Sequence, residues 1–232
     1  MPRGRTERPP QVREVKKIYV DLTGYILEPS VYHNYHYAMA ATTDKGFSEI
    51  VGLSHRAQSL LGMAKIFANL GGVPAEIQID GESTLNTKAA KTWMSGRGSG
   101  RYSKVTVTEA YHHYRNGRIE RRWDTWKSHA RCLLGEARLS IRWWWYALKY
   151  AVTVSNMLDL TTDDNGVEMT VWEAHFGERP DLERILLGPF GSLAYIVLSE
   201  EQRRAKGISG SFGVRAIAGL YLGPAVCHKT HI

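Results

Sequence analysis

The order in which hydrophobic periodicity changes along this 232-residue chain narrows its fold more than any other feature. Three period-two runs come first. Residues 16–27 (KKIYVDLTGYIL) read as a strand ending near Gly24, followed by 35–43 (YHYAMAATT) and 47–54 (FSEIVGLS). Asp44-Lys45-Gly46 is a tight-turn signal, so the second and third runs pair as a hairpin. The pattern then alternates. Residues 56–70 place Leu60, Leu61, Ala64, Phe67 and Ala68 at helical spacing, and Gly71-Gly72 stops that helix. A short strand over 75–80 (AEIQID), a short helix over 85–94 and a strand over 103–108 (SKVTVT) follow. Helices are predicted over 118–134 and 136–158. A meander followed by strand–helix alternation predicts an α/β fold, a five-stranded mixed sheet with helices on both faces. Beyond residue 160 the pattern weakens. Gly188-Pro-Phe-Gly191 and Gly219 to Gly223 punctuate short apolar segments there. The expected division is a basic arm at 1–14, a core at 15–158 and a small C-terminal extension at 159–232.

Charge and cysteine usage exclude several classes. Lys and Arg number 30 against 23 Asp and Glu, a net charge of +7 that suits a polyanionic partner. Cys132 and Cys227 are the two cysteines, too few for a disulfide framework or a Cys-rich zinc site. No run of about 18 apolar residues predicts a membrane span. The start, Met1 to Pro10, is basic and Pro-rich without an apolar h-region, so it reads as a disordered arm or a cut end, not a signal peptide.

Three acids stand out by position. Asp21 lies inside an apolar strand (Ile18-Tyr-Val-Asp-Leu22), Asp80 ends another (Ile77-Gln-Ile-Asp80), and Glu120 opens the long helix. A charge in a sheet core is costly unless paired or bound to metal. If the first and fourth strands are neighbours, with the helix start over their ends, the three carboxylates converge. Phosphodiester transfer needs such a cluster. Two Mg²⁺ ions about 3.5–4 Å apart activate the nucleophile, orient the leaving oxygen and neutralise phosphate charge. Mg²⁺ prefers oxygen ligands. A lone Asp at a strand end is ordinarily a turn or cap residue, so the weight rests on the trio.

The chain resembles the integrase core of Copia-type long-terminal-repeat retrotransposons over roughly residues 15–223. Val20-Asp-Leu-Thr-Gly24 matches the family's first-strand motif, Ile79-Asp-Gly-Glu-Ser83 a shortened form of its second, and Asn116-Gly-Arg-Ile-Glu-Arg121 its third. Trp144, Asn156, Trp172-Glu173, Phe176-Gly177, Pro189-Phe-Gly191 and Gly219-Leu-Tyr-Leu-Gly223 also match. The interval from Asp80 to Glu120 exceeds the family's usual spacing by a few residues, the surplus falling in the Ser95 to Gly100 loop. Tyr19 stands where many relatives carry His, and Asp80 lacks the following Asn. The family's zinc-binding amino-terminal module is not in this sequence, so the chain reads as a polyprotein fragment.

The resemblance implies an RNase H-like fold and a Mg²⁺-dependent DNA integrase with two ions, Mn²⁺ substituting. Asp21 would bridge both ions, Asp80 would hold one and Glu120 the other. The activities implied are 3′-end processing and strand transfer of retrotransposon DNA into target DNA. The partners implied are element ends, a target duplex and further copies of the chain, with no membrane. Residence would be a cytoplasmic particle and then the nucleus. Asn116, Arg115, Arg118, Arg121 and Lys127 are the expected nucleic-acid-binding residues. Glu120, Asp124 and Lys127 share a helix face, and Lys127 either contacts a phosphate or forms an ordinary surface pair. Arg115, Arg118, Arg121 and Arg122 surround the helix start, and with Arg97, Arg101 and Lys104 they form a phosphate-binding stripe or a solvated charge run. Tyr111-His-His-Tyr114 either stacks on bases or is a structural loop. Trp143-Trp-Trp145 reads as core, Asp163-Asp-Asn-Gly166 as a turn, and His33 and His36 do not complete a zinc set. Two other functions compete: a catalytically inactive nucleic-acid-binding or assembly module, and an RNase H-like nuclease.

Overall fold

The computed structural model describes residues 14–81, 84–96, 103–108, 117–182, 188–208 and 213–224. Its centre is a five-stranded sheet of β1 (Lys17–Leu22), β2 (Tyr37–Thr43), β3 (Ser48–Leu53), β4 (Glu76–Asp80) and β5 (Lys104–Thr108), ordered β3-β2-β1-β4-β5. β1, β2 and β3 pair antiparallel, whereas β1, β4 and β5 run parallel. The β2–β3 turn closes at Gly46, whose φ of 97° lies in the left-handed region that glycine adopts without steric cost.

The period-two alternation sends each strand's side chains to opposite faces. Ile18, Val20, Met39, Ala41, Ile77 and Ile79 face α1 (Ser59–Asn69) and α2 (Lys88–Ser95). Ala38, Ala40 and Ile50 face α3 (Gly117–Glu136) and α4 (Trp144–Leu158). On α3, Ile119, Trp123, Trp126, Ala130 and Leu134 form the buried stripe that seats the helix on the sheet. Trp123 and Trp126 meet edge to face, centroids 5.6 Å apart. Trp144 and Trp145 are buried with them, as a core reading requires.

Two sequence expectations shift. The apolar face of α1 is Gly62, Met63, Ile66 and Phe67, while Leu61 and Ala68 are exposed. A Cβ on Gly62 would stand 3.2 Å from Leu53 and 3.3 Å from Met39, so the helix approaches the sheet where it has no side chain and turns Leu61 outward. The second long helix begins at Trp144 instead of residue 136. The chain leaves α3 through Arg138, at φ 52°, and re-enters helix after a 3₁₀ turn over Ile141–Trp143.

Packing continues past Leu158. β6 (Leu160–Thr162) and β7 (Glu168–Thr170) form a hairpin around Asp163, whose carboxylate accepts from the backbone N–H groups of Asn165 and Val167, each at 2.8 Å. Val171 and Phe176 of α5 (Val171–Phe176) join the cluster under α1. Further on, β8 (Leu193–Val197) pairs with β9 (Ala216–Leu220) as a separate two-stranded sheet, with α6 (Glu200–Ala205) between them in the chain. No helix among the described residues is long and apolar enough to cross a membrane.

One side chain closes the sheet's edge. Asn156 on α4 donates its amide to the Ser48 carbonyl at 2.7 Å and accepts from the Ser48 N–H at 2.9 Å, doing for β3 what a further strand would do. Both residues are buried. Replacing Asn156 by Ala leaves two main-chain groups without partners. Each unsatisfied group costs about 1–3 kcal/mol. Asn156→Ala is therefore expected to lower the unfolding free energy by at least about 1 kcal/mol in a urea titration. An unchanged midpoint would show that water replaces the amide.

Candidate active site

The parallel register of β1 and β4 decides where the acids lie. Val20 is paired with Ile79, so Asp21 and Asp80 are the next residues on neighbouring strands, both at the carboxyl end of the sheet. Asp21 is also opposite Ala40, which belongs to the cluster beneath α3 and α4. Alternation from Ile77 and Ile79 sends Gln78 and Asp80 to that same face. Below Asp80, Gln78 donates to the Thr108 hydroxyl at 3.3 Å. This buried polar pair was readable only as a Gln between two isoleucines.

Glu120 comes from the exposed side of the first turn of α3, next to the buried Ile119. Its field reaches Asp21. The Asp21 carboxyl is pushed above its ordinary value of 3.8, first by burial and then by the charges of Asp80 and Glu120. The Leu22 N–H, donating to Oδ1 at 2.8 Å, and the Lys127 ammonium act in the opposite direction. The three acids and Lys127 therefore share one electrostatic neighbourhood. They are not closed into a ligand cage. Among the described residues no three His, Cys, Asp or Glu side chains stand close enough to hold one metal ion.

The segment after Asp80 is pinned. A Cβ on Gly81 would stand 2.8 Å from the Thr108 carbonyl oxygen, so only glycine fits there. Asn86 reaches back to the Gly81 carbonyl at 2.6 Å.

The expected nucleic-acid contacts separate. Lys127 lies with its ammonium 5.5 Å from the centre of the Trp123 ring, and no ion pair among the described residues ties it to Glu120 or Asp124. Arg118 donates to the Asp44 carbonyl at 2.7 Å and lies against Tyr19, centroid distance 5.6 Å. Arg121 donates to the Gly117 carbonyl of its own helix at 3.0 Å, and Arg122 pairs with Asp159. Arg118 and Arg122 thus fasten α3 to its surroundings. Arg97, Arg101, Tyr111 to Tyr114, Arg115 and Asn116 lie outside the described residues. His33 stacks on Tyr35 and His36 on Tyr25, ring partnerships that residue spacing did not reveal.

Comparison with solved structures follows from this topology. A chain of the simian T-cell lymphotropic virus intasome in complex with PP2A regulatory subunit B56 gamma superposes with a TM-score of 0.54 at 16% identity, covering 95% of this chain and 72% of that one. The HTLV-2 integrase catalytic core domain in complex with magnesium, in its dimeric form, gives 0.50 at 15% identity, over 71% of this chain and 97% of the other. The catalytic core domain of BIV integrase gives 0.50 at 14% identity, over 70% and 95%.

The fold is that of retroviral integrase catalytic cores. No protein-family profile and no curated protein sequence matches the chain. At these identities the shared property is the integrase-core fold, the RNase H-like architecture that the resemblance implied and whose five-stranded mixed sheet the element order predicted.

The oxygen-only donor set of Asp21, Asp80 and Glu120 suits a hard divalent cation, and the Asp21 carboxyl is raised by burial first and by the neighbouring acids second. A group whose folded-state pKa is raised supports folding below its unfolded value, and that contribution is lost as pH rises through the folded pKa. Asp21→Asn removes the charge while keeping an acceptor for the Leu22 N–H. The variant is expected to melt at a higher temperature than wild type at neutral pH. The difference should vanish below the ordinary Asp value of 3.8. Equal melting temperatures throughout would mean that Asp21 carries no burial cost.

Proposed function

We propose that this chain is the catalytic core of a metal-dependent polynucleotidyl transferase of the integrase type, acting on DNA ends. The observation carrying this reading is the placement of Asp21 and Asp80 at adjacent parallel strand ends of an integrase-core fold, with Glu120 acting on Asp21 through space. In this reading Asp21, Asp80 and Glu120 would hold Mg²⁺ or Mn²⁺ through their carboxylate oxygens. When bound, such ions supply an activated oxygen nucleophile and neutralise the charge of the transferring phosphate. The protein's part is positioning. β1 and β4 hold two carboxylates in fixed register, and the buried stripe of α3 holds the third. Lys127, braced on Trp123, offers a cation beside them for a phosphate oxygen.

The Asn116 to Arg121 motif and the matches beyond Trp144 support a Copia-type retrotransposon as the source, with element ends and target duplex as substrates. Water would first hydrolyse a phosphodiester near the element end and free its 3′-hydroxyl; that hydroxyl would then give up its proton and attack a target phosphodiester, whose 3′-oxygen leaves as its P–O bond breaks. A net charge of +7 suits this partner, and work on two DNA segments favours a multimer. Integration would take place in the nucleus.

A second reading, an inactive nucleic-acid-binding or assembly module on the same fold, is favoured by one observation. The three acids do not close into a ligand cage among the described residues.

A Mg²⁺-dependent joining assay on short duplexes separates the readings. Wild type is expected to join or cut strands, with activity falling to background in both Asp21→Asn and Glu120→Gln. DNA binding without chemistry, unchanged in both variants, selects the inactive module. Cutting without joining selects a nuclease.

A further inference from the structure

The polar pair beneath Asp80 has no part in the core or in the proposed chemistry. Alternation along β5 turns Val105 and Val107 toward the cluster under α1 and α2, so Thr106 and Thr108 stand on the face that carries the acids. The parallel register sets Thr108 beside Asp80 and Thr106 beside Gln78. Adjacent strands lie about 4.8 Å apart, so the Thr108 hydroxyl is within side-chain reach of the Asp80 carboxylate. The two strand ends are clamped at this level, where the Gly81 Cα passes too close to the Thr108 carbonyl oxygen for any side chain and Asn86 bonds to the Gly81 carbonyl.

The direction of the hydrogen bond decides what Thr108 can do. Gln78 and Thr108 are both buried, and a buried amide or hydroxyl is costly without partners. The Gln78 amide donates to the Thr108 hydroxyl at 3.3 Å. A hydroxyl has one proton to give and accepts through its lone pairs. Accepting from Gln78 therefore keeps the Thr108 proton for another acceptor, and Asp80 is its register partner on that face.

The three acids differ in how they are held. Asp21 has the Leu22 N–H, donating at 2.8 Å. Glu120 is carried by the seated helix α3. Asp80 has no main-chain donor to its carboxylate among the described residues. Carboxylates that take a cation are ordinarily oriented by a hydrogen bond from behind.

We propose that Gln78 and Thr108 are positioning residues for Asp80. The amide fixes the hydroxyl, and the hydroxyl gives its proton to the carboxylate, which keeps one orientation when a divalent cation binds. This rests on the metal-dependent reading of the site. The test uses the full chain without DNA and Mn²⁺ alone as the probe, with affinity read from water-proton relaxation and the urea midpoint measured alongside. Thr108→Val keeps the branched shape and removes the hydroxyl, Thr108→Ser keeps the hydroxyl, and Gln78→Met keeps the length and removes the amide. Thr108→Val and Gln78→Met are each expected to weaken Mn²⁺ binding about tenfold. The double variant should lose no more than either alone, because both break the same chain. Thr108→Ser should bind as wild type does. In an Asp80→Asn background, Thr108→Val should cost nothing further. Wild-type affinity in Thr108→Val, a loss that Thr108→Ser shares, or a loss that persists in the Asp80→Asn background overturns the positioning role, while weakened binding by Asp80→Asn keeps the metal site. If Asp80→Asn leaves Mn²⁺ binding unmoved, the metal reading fails and the positioning role with it.

Discussion

Everything at the candidate site depends on β1 being bonded on both edges, antiparallel to β2 and parallel to β4. α1 and α2 close one face of this strand, whereas Lys17, Tyr19 and Asp21 on the other face stay half-buried. On the closed face Ile18 and Val20 are buried. Asp21 is tolerated because it stands where the strand ends. The parallel pairing with β4 then brings Asp80 to the same level. Parallel strands share their carboxyl ends, so two acids that are remote in sequence become neighbours without any loop to position them.

The third acid depends on a different kind of packing. Glu120 is exposed, and nothing in its own contacts fixes it. Its position follows from the residues beside it: Ile119, Trp123 and Trp126 seat α3, while Arg118 and Arg122 tie the helix start to the β2–β3 turn and to Asp159. Two of the arginines that suggested a phosphate stripe thus serve α3 itself. Lys127 remains beside the acids, and its ring partner Trp123 belongs to the buried stripe.

Burying Asp21 near like charges works against the stability of the fold. Its carboxyl is raised by burial and by Asp80 and Glu120, with one backbone N–H and Lys127 offsetting part of the cost. A local cost of this kind is expected at functional sites.

The sequence by itself determined the sheet. Alternation in KIYVDL, YAMAATT and SEIVGL, the Asp44-Lys45-Gly46 turn and the apolar periodicity around 118–134 gave the element order, because burial of one face imposes a period that residue types reveal. It also marked Asp21 and Asp80, since an acid inside or ending an apolar run is costly enough to notice. Periodicity could not set the rotation of α1, because the close approach at Gly62 is a property of two surfaces. Nor could it show the turn at Arg138, the engagement of Arg118 with Asp44, or the stacking of Tyr25 on His36. Each of these depends on a partner far away in the chain or on a break in the ladder. Local pattern encodes which way a side chain faces, whereas its partners are decided only when separate elements come to share the same space.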